Sequence, residues 1–141
     1  RDDLIKAFYK RLTSPDKTIR QNAAVAWTRW EMATSYLIQD NTYIEKARNI
    51  SFSDAFARIE CHYFINEIFL EENYILRNIS NIKEIPLTIV QGRYDIVCPV
   101  RSAWDLKKSL PESKLYIVKD AGHSMRENNI TKELIKATIS I

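Results

Sequence analysis

Glycine, cysteine and histidine are scarce in this chain of 141 residues, which holds two of each. The cysteines, Cys61 and Cys98, form no C-x-x-C pair, and the histidines, His62 and His123, have no H-x-x-x-H spacing. We therefore expect no structural zinc site from these residues, and we predict no metal and no cofactor. Two cysteines could form one disulfide. A chain without a cysteine framework is nevertheless more typical of a reducing, cytoplasmic setting.

Charge of one sign and long apolar runs are missing as well. The chain has 21 Lys and Arg against 18 Asp and Glu, and these residues are interspersed. No basic block marks a nucleic-acid partner or an anionic membrane surface, and no apolar run has the length of a membrane span. The start, Arg1-Asp2-Asp3, does not resemble a signal peptide. Because Arg1 is not methionine, we expect the chain to be cut from a longer one.

The composition is that of a globular protein, with enough residues for one compact domain. The pattern of apolar residues changes near Pro86. Before it, the apolar residues recur with a helical period and no strand is evident. Three helices are predicted: over 4–12, from Ser14-Pro15-Asp16 to about Ile38, and after Ser53 as a candidate N-cap. A short helical piece is expected over 74–79.

After Pro86 the apolar residues come in short runs. Leu87 to Val90 and Lys114 to Val118 read as buried strands, with helices predicted over 100–110 and 131–139. Strands alternating with helices indicate a parallel sheet with helices on its faces, so the predicted fold class is α/β. Two strands do not make a stable open sheet. The sheet is therefore expected to continue in residues outside this chain or in another chain.

Both glycines lie just after a predicted strand and shortly before a polar side chain. Gly92 precedes Asp95, and Gly122 directly precedes His123. Functional groups gather at the carboxyl ends of strands in open α/β sheets, and glycine there allows a sharp turn. An acid followed by a histidine is the order of the last two members of an α/β-hydrolase triad.

In that reading Asp95 accepts a hydrogen bond from one imidazole nitrogen and His123 uses the other as a base. The alternative is structural, because a histidine in a loop commonly only packs and an aspartate in a turn commonly caps the backbone. Asp120 is a competing acid, and its place at a strand end favours a turn role. The joint placement of Asp95 and His123 favours the catalytic reading.

Several motifs make the similarity specific. The segments around Asp95 and His123 resemble the acid loop and the histidine loop of proline iminopeptidases, and two upstream segments resemble helices of that family's cap domain. The resemblance runs from about Ser14 to the end. The motifs are Ile85-Pro86, Ile89-Val90-Gln91-Gly92-Arg93-Tyr94-Asp95, Val97-Cys98-Pro99, Ala103-Trp104-Asp105-Leu106, Asp120-Ala121-Gly122-His123-Ser124 with Glu127, Trp27, Trp30-Glu31, and Ala57-Arg58-Ile59-Glu60-Cys61-His62-Tyr63-Phe64.

The resemblance implies the C-terminal part of an α/β-hydrolase core over 81–141, preceded by a helical cap region over 1–80. It implies a serine aminopeptidase that releases N-terminal proline from peptides. By position, Glu31 and Glu60 match residues that bind the substrate's α-amino group, and Cys98 would lie near the proline pocket. The competing reading is that both glutamates are surface acids.

Two features depart from the family pattern. Cys61 stands where the resemblance leads us to expect asparagine, beside Glu60. The chain also has no G-x-S-x-G elbow and no HGGPG-like oxyanion loop, because its two glycines cannot supply them. We expect both in a missing N-terminal half of the same protein, and we expect this chain alone to be inactive and prone to associate through its sheet edge, which leaves a homo-oligomer open.

Two other functions stay open. One is another capped α/β-hydrolase, such as an esterase or an epoxide hydrolase. The other is a non-catalytic hydrolase-like interaction module, since a fold alone does not fix a function. The cap carboxylates Glu31 and Glu60 distinguish the first from an aminopeptidase, and a parent protein without a reactive serine would indicate the second.

Overall fold

The computed structural model describes residues 3–139. Arg1 and Asp2, used above for the start of the chain, lie outside the described residues. Two compact units are present. The first comprises the described residues up to Ala33 together with 40–72, and the second comprises 34–39 together with the described residues from Asn73 onward. The short segment 34–39 therefore belongs with the sheet.

The first unit is helical. Helix α1 spans Leu4–Leu12, as predicted, and Asp3 caps it by accepting a hydrogen bond from the Lys6 amide. Helix α2 spans Lys17–Thr34 and begins where Asp16 accepts hydrogen bonds from the next turn, which confirms the predicted start. It ends before the predicted Ile38.

Helix α4 corrects one prediction. It spans Ile50–Ile65 and is capped by Asn49, so Ser53 is not the N-cap. Ser53 lies one turn inside the helix, buried, and its hydroxyl donates a hydrogen bond of 2.7 Å to the Ala47 carbonyl oxygen. The sequence pattern missed the preceding helix α3, Asn41–Ile44, and the 3-10 turn Glu45–Arg48, because both are only four residues long.

The core of the first unit lies where α1, α2 and α4 meet. Phe8 packs edge-to-face on Trp27, with ring centroids 5.2 Å apart. Helix α1 approaches α4 closely beside this aromatic pair, at the small side chain of Cys61. The buried cluster consists of Leu12, Ala23, Ala24, Trp27, Ala57 and Cys61.

The second unit contains the sheet. After α5, Tyr74–Arg77, and a 3-10 turn, Ile79–Asn81, strand β1 spans Thr88–Gly92 and pairs in parallel with β2, Lys114–Val118. Helix α6, Val100–Ser109, connects the strands, and α7, Asn128–Ile139, follows β2. The predicted α/β class is confirmed.

The strand register explains the position of the loops. Gly92 pairs with Val118, so both strands end at the same level. Val118, Ala121 and Ile130 form a buried cluster in this unit, with Val90 and Leu134 packed against it. Packing of apolar side chains from β1, β2 and α7 therefore holds the ends of the two strands, from which the two following loops begin.

Candidate active site

The two loops after β1 and β2 lie against each other. The Arg93 amide donates to the Val118 carbonyl oxygen at 2.9 Å, and the Tyr94 amide donates to that of Ala121 at 3.0 Å. A methyl group added at Gly92 would lie 1.8 Å from the Gly122 carbonyl oxygen. Neither glycine has a positive φ. The turn-based reason given from the sequence is therefore wrong: these positions need glycine because two backbones meet.

This contact brings Asp95 and His123 together. His123 Nδ1 lies 2.9 Å from Asp95 Oδ2. The Asp95 side chain is only 6% exposed, whereas that of His123 is 36% exposed. An ionised carboxylate can only accept hydrogen bonds, so the imidazole carries its proton on Nδ1. Nε2 is then the nitrogen able to accept a proton, as a general base requires.

Three further donors hold the Asp95 carboxylate. Oδ1 accepts hydrogen bonds from the amides of Val97, at 3.0 Å, and Cys98, at 2.7 Å. Oδ2 accepts one from Gln91 Nε2 at 3.1 Å. With His123 the carboxylate has four donors, about as many as its lone pairs can serve. This buried acid is therefore fully satisfied and cannot rotate freely.

Residues far upstream hold the histidine loop. The carbonyl oxygen of Ser35 accepts hydrogen bonds from the amides of His123, at 3.0 Å, and Ser124, at 2.8 Å. Glu127 accepts from the amides of Gly122, at 2.8 Å, and Leu37, at 3.3 Å. The roles of Ser35 and Leu37 were missed, because no sequence signal relates them to the histidine. The backbone after Thr34 binds this loop instead of continuing α2.

The competing acid, Asp120, is bonded elsewhere. Its carboxylate accepts a hydrogen bond of 2.7 Å from Asn129 Nδ2, near the start of α7, and the residue is exposed. This contact joins the end of β2 to the following helix, which is the turn role favoured from the sequence. The carboxylate at the histidine is that of Asp95.

Glu60 and Glu31 lie in the first unit, and both are partly buried. Trp27 Nε1 donates a hydrogen bond of 2.5 Å to Glu60 Oε2, which joins α2 to α4. Glu31 follows Trp27 by four residues on α2 and so lies on the same side of that helix. Trp30, the neighbour of Glu31 in the sequence, is 69% exposed. The substrate-binding role of both glutamates stays a prediction.

The two cysteines are free, and they differ in exposure. Cys98 is exposed, although a free cysteine most often packs as a small apolar residue. Its carbonyl oxygen accepts a hydrogen bond from Gln91 Nε2 at 3.1 Å. Cys61 is buried at the α1–α4 contact, with its sulfur 3.9 Å from the Ile5 carbonyl oxygen. Burial, with a smaller contribution from the Glu60 charge, raises the pKa of the Cys61 thiol.

We predict that iodoacetamide labels Cys98 much faster than Cys61 in the folded full-length protein. The thiolate is the reactive species, and burial both covers Cys61 and disfavours its thiolate. Peptide mapping by mass spectrometry after timed labelling measures the two rates, and labelling in denaturant supplies the control in which both react. Equal rates in the folded protein would contradict the buried position of Cys61. If Cys98 lies near a proline pocket, free proline should slow its labelling.

Residues 3–139 contain neither a candidate metal site nor a membrane-spanning helix. Within that range no set of three or more His, Cys, Asp or Glu side chains is arranged to hold a metal ion. No helix in the same range has both the length and the hydropathy needed to cross a membrane.

Comparison with known proteins gives a consistent set of relatives. The chain is 57% identical over 139 residues to the probable proline iminopeptidase of Leptolyngbya boryana. It is 51% identical over 135 residues to the proline iminopeptidase of Arabidopsis thaliana, and 50% identical over 141 residues to that of Xylella fastidiosa. These alignments cover 98%, 95% and 99% of the chain but only 43%, 36% and 45% of the relatives. The chain thus spans less than half the length of each. No protein-family model matches it.

Proposed function

Since the chain belongs to the proline iminopeptidase family, we propose that the protein containing it is a serine-type aminopeptidase that releases N-terminal proline from peptides. The observation that carries this proposal is the hydrogen bond between Asp95 and His123, with the acid buried and the histidine partly exposed. The same proposal assigns residues 1–80 to the cap and residues 81–141 to the hydrolase core. It also places the protein in the cytoplasm. Nucleic acid and membrane are not among the proposed partners.

The proposed mechanism needs a serine from the part of the protein that precedes this chain. His123 accepts the serine proton at Nε2 as the serine oxygen attacks the prolyl carbonyl carbon, and Asp95 stabilises the resulting imidazolium. The peptide C–N bond then breaks and the leaving amine takes the proton from His123. In the second half His123 deprotonates water, whose oxygen attacks the acyl carbon. The bond between the serine oxygen and the acyl carbon then breaks, His123 returns the proton to the serine oxygen, and proline is released.

Substrate selection is assigned to Glu31, Glu60 and Cys98. A protonated N-terminal proline carries two N–H groups and one positive charge, which suits carboxylate acceptors. A peptide with a blocked N-terminus would leave both acids without that partner, so it should be rejected. Cys98, on the acid loop, is proposed to border the space for the proline ring.

The test is hydrolysis of a prolyl-arylamide by the full-length protein, beside the N-acetylated prolyl-arylamide. We expect cleavage of the free substrate and little of the blocked one. Cleavage of neutral esters or epoxides with no prolyl-arylamide activity would instead indicate another capped hydrolase. A folded full-length protein that does not react with a fluorophosphonate would indicate a non-catalytic module.

We predict that Glu31→Gln and Glu60→Gln each lower kcat/KM for the prolyl-arylamide by about a hundredfold. The reason is that removing one partner of a buried charged hydrogen bond costs about 3 kcal/mol. Glutamine at position 60 can still accept the Trp27 hydrogen bond, so the fold should survive. Steady-state kinetics on the full-length variants measures the effect.

The control for these variants is Glu45→Gln, an exposed glutamate of the same unit that pairs with Arg48 at 2.7 Å. It should keep the activity of the unmodified protein. Hydrolysis of a neutral ester should also be nearly unchanged in Glu31→Gln and Glu60→Gln. An equal loss on ester and amide would argue against a role in reading the amino group.

A further inference from the structure

The Gln91 side chain contacts both the Asp95 carboxylate and the backbone of the loop that follows β1. We propose that it is a positioning residue, which fixes the Asp95 carboxylate in the orientation that holds His123. The proposal rests on the proposed function. It adds a residue that touches neither the substrate nor the reacting atoms but sets the geometry of the pair that does.

Hydrogen-bond acceptors surround the Gln91 amide nitrogen. Nε2 lies 3.1 Å from Asp95 Oδ2, 3.1 Å from the Cys98 carbonyl oxygen and 3.3 Å from the Gly92 carbonyl oxygen. All three are acceptors, so the amide must present its NH₂ group rather than its oxygen. The group has two hydrogens, and the two shorter contacts, to Asp95 and Cys98, take them.

The two carboxylate oxygens of Asp95 have different kinds of hydrogen-bond donor. Oδ1 is held by the amides of Val97 and Cys98, which belong to the acid loop itself. Among the residues that the structure describes, the donors to Oδ2 are two side chains, His123 and Gln91. Without Gln91, Oδ2, which orients the histidine, would have no second fixed partner. The carboxylate could then pivot about Oδ1, which the backbone amides hold.

Gln91 lies in the sheet rather than in a loop. It belongs to β1, where it pairs with Ile117 of β2, and it is partly buried. Side chains on strands are held more precisely than side chains on loops. Gln91 therefore transfers the rigidity of the sheet to a loop residue four positions further along the chain.

The variants separate the hydrogen bonds from the volume of the side chain. Gln91→Met keeps the length and removes both donors, whereas Gln91→Glu places a second carboxylate against Asp95 and the Cys98 carbonyl oxygen. Gln21→Met makes the same chemical change on α2 and serves as the control. All are made in the full-length protein, and unfolding in urea verifies that each is folded.

We expect kcat for the prolyl-arylamide to fall about tenfold to a hundredfold in Gln91→Met with KM within twofold, as for a misplaced catalytic group. Gln91→Glu should fall further, and Gln21→Met should match the unmodified protein. The proton NMR signal of the His123 Nδ1–H, at low field when hydrogen-bonded to a carboxylate, should broaden or disappear in Gln91→Met. It is assigned by its loss in His123→Ala.

A Gln91→Met protein with unchanged kcat and an unchanged Nδ1–H signal would overturn the proposal. So would a fall in kcat with the signal intact, because Gln91 would then act on something other than the Asp95–His123 pair. The NMR readout does not depend on the substrate. If the full-length protein fails to cleave prolyl-arylamide, the proposed function fails while the positioning role of Gln91 is still decided by the signal.

Discussion

Replacing Asp95 by asparagine in the full-length protein should lower kcat for the prolyl-arylamide by about 10⁴-fold, with little change in KM, as an incorrect histidine tautomer does in serine proteases. The structure fixes how the new amide would sit. The amides of Val97 and Cys98 need an acceptor, so the asparagine oxygen takes the place of Oδ1. Its NH₂ group then faces His123 Nδ1.

That orientation forces the histidine into the other tautomer. An NH₂ group at Nδ1 requires Nδ1 to accept, so the imidazole proton moves to Nε2. Nε2 can then no longer take the serine proton. The same NH₂ group meets the NH₂ of Gln91, which cannot relieve the clash by flipping because its oxygen would face the Cys98 carbonyl oxygen. The substitution preserves size, so the loss should lie in chemistry rather than folding.

Asp120→Asn is the matched control. Its partner Asn129 donates to the carboxylate, and an asparagine oxygen at position 120 can accept the same hydrogen bond. Activity should therefore stay at the level of the unmodified protein. Steady-state kinetics compares the two variants. If Asp120→Asn were the inactive one and Asp95→Asn stayed within tenfold of normal, the acid of the triad would have been assigned incorrectly.

The sequence predicted those parts of the fold that depend on local pattern. Strand β2 was placed correctly, because an apolar run bounded by turn residues indicates a strand. The expectation that it is buried was wrong for this chain, since Lys114 and Tyr116 are exposed and Val118 is its one buried residue. Helix α1 was placed correctly by its apolar period. The α4 start was missed because Asn49 and Ser53 are both good caps, and only the packing of Ser53 against Ala47 decides between them.

The site was predictable only in part, because local sequence pattern does not reveal contacts made by packing. Asp95 and His123 follow strands and glycines, so the topology of a parallel sheet brings them together. The contacts of Ser35, Gln91 and Glu127 depend on three-dimensional packing. Ser35 acts through its backbone carbonyl oxygen, which is common to every residue type and leaves no signal in a sequence.

The sequence indicated that Gly92 and Gly122 matter for the site, but the reason is the close contact of two backbones and not a turn. Gly92→Ala should destabilise the full-length protein by about 3 kcal/mol, the upper part of the usual range for overpacking. The new methyl would lie 1.8 Å from the Gly122 carbonyl oxygen and 2.8 Å from that of Ala121. Both are backbone atoms, so no side chain can move aside.

The resulting displacement acts on stability and on the site together. To admit the methyl, the loops must separate, which stretches the hydrogen bond from the Tyr94 amide to the Ala121 carbonyl oxygen. Because Gly122 is bonded directly to His123, the same movement draws the histidine away from Asp95. We therefore expect the folded fraction of the variant to have less than a tenth of normal kcat, in line with the cost of a misplacement of about 1 Å.

Gly122→Ala supplies the comparison. A methyl there would meet the Leu37 amide nitrogen at 2.8 Å and a Glu127 carboxylate oxygen, a side-chain atom that can shift, at 3.2 Å. Its destabilisation should be smaller, about 1 kcal/mol. Urea denaturation of both full-length variants gives the order. A Gly92→Ala protein that unfolds at the normal urea concentration would show that the backbones of the two loops are not in contact in solution. A greater loss in Gly122→Ala would place the tightest contact at segment 34–39 rather than between the loops.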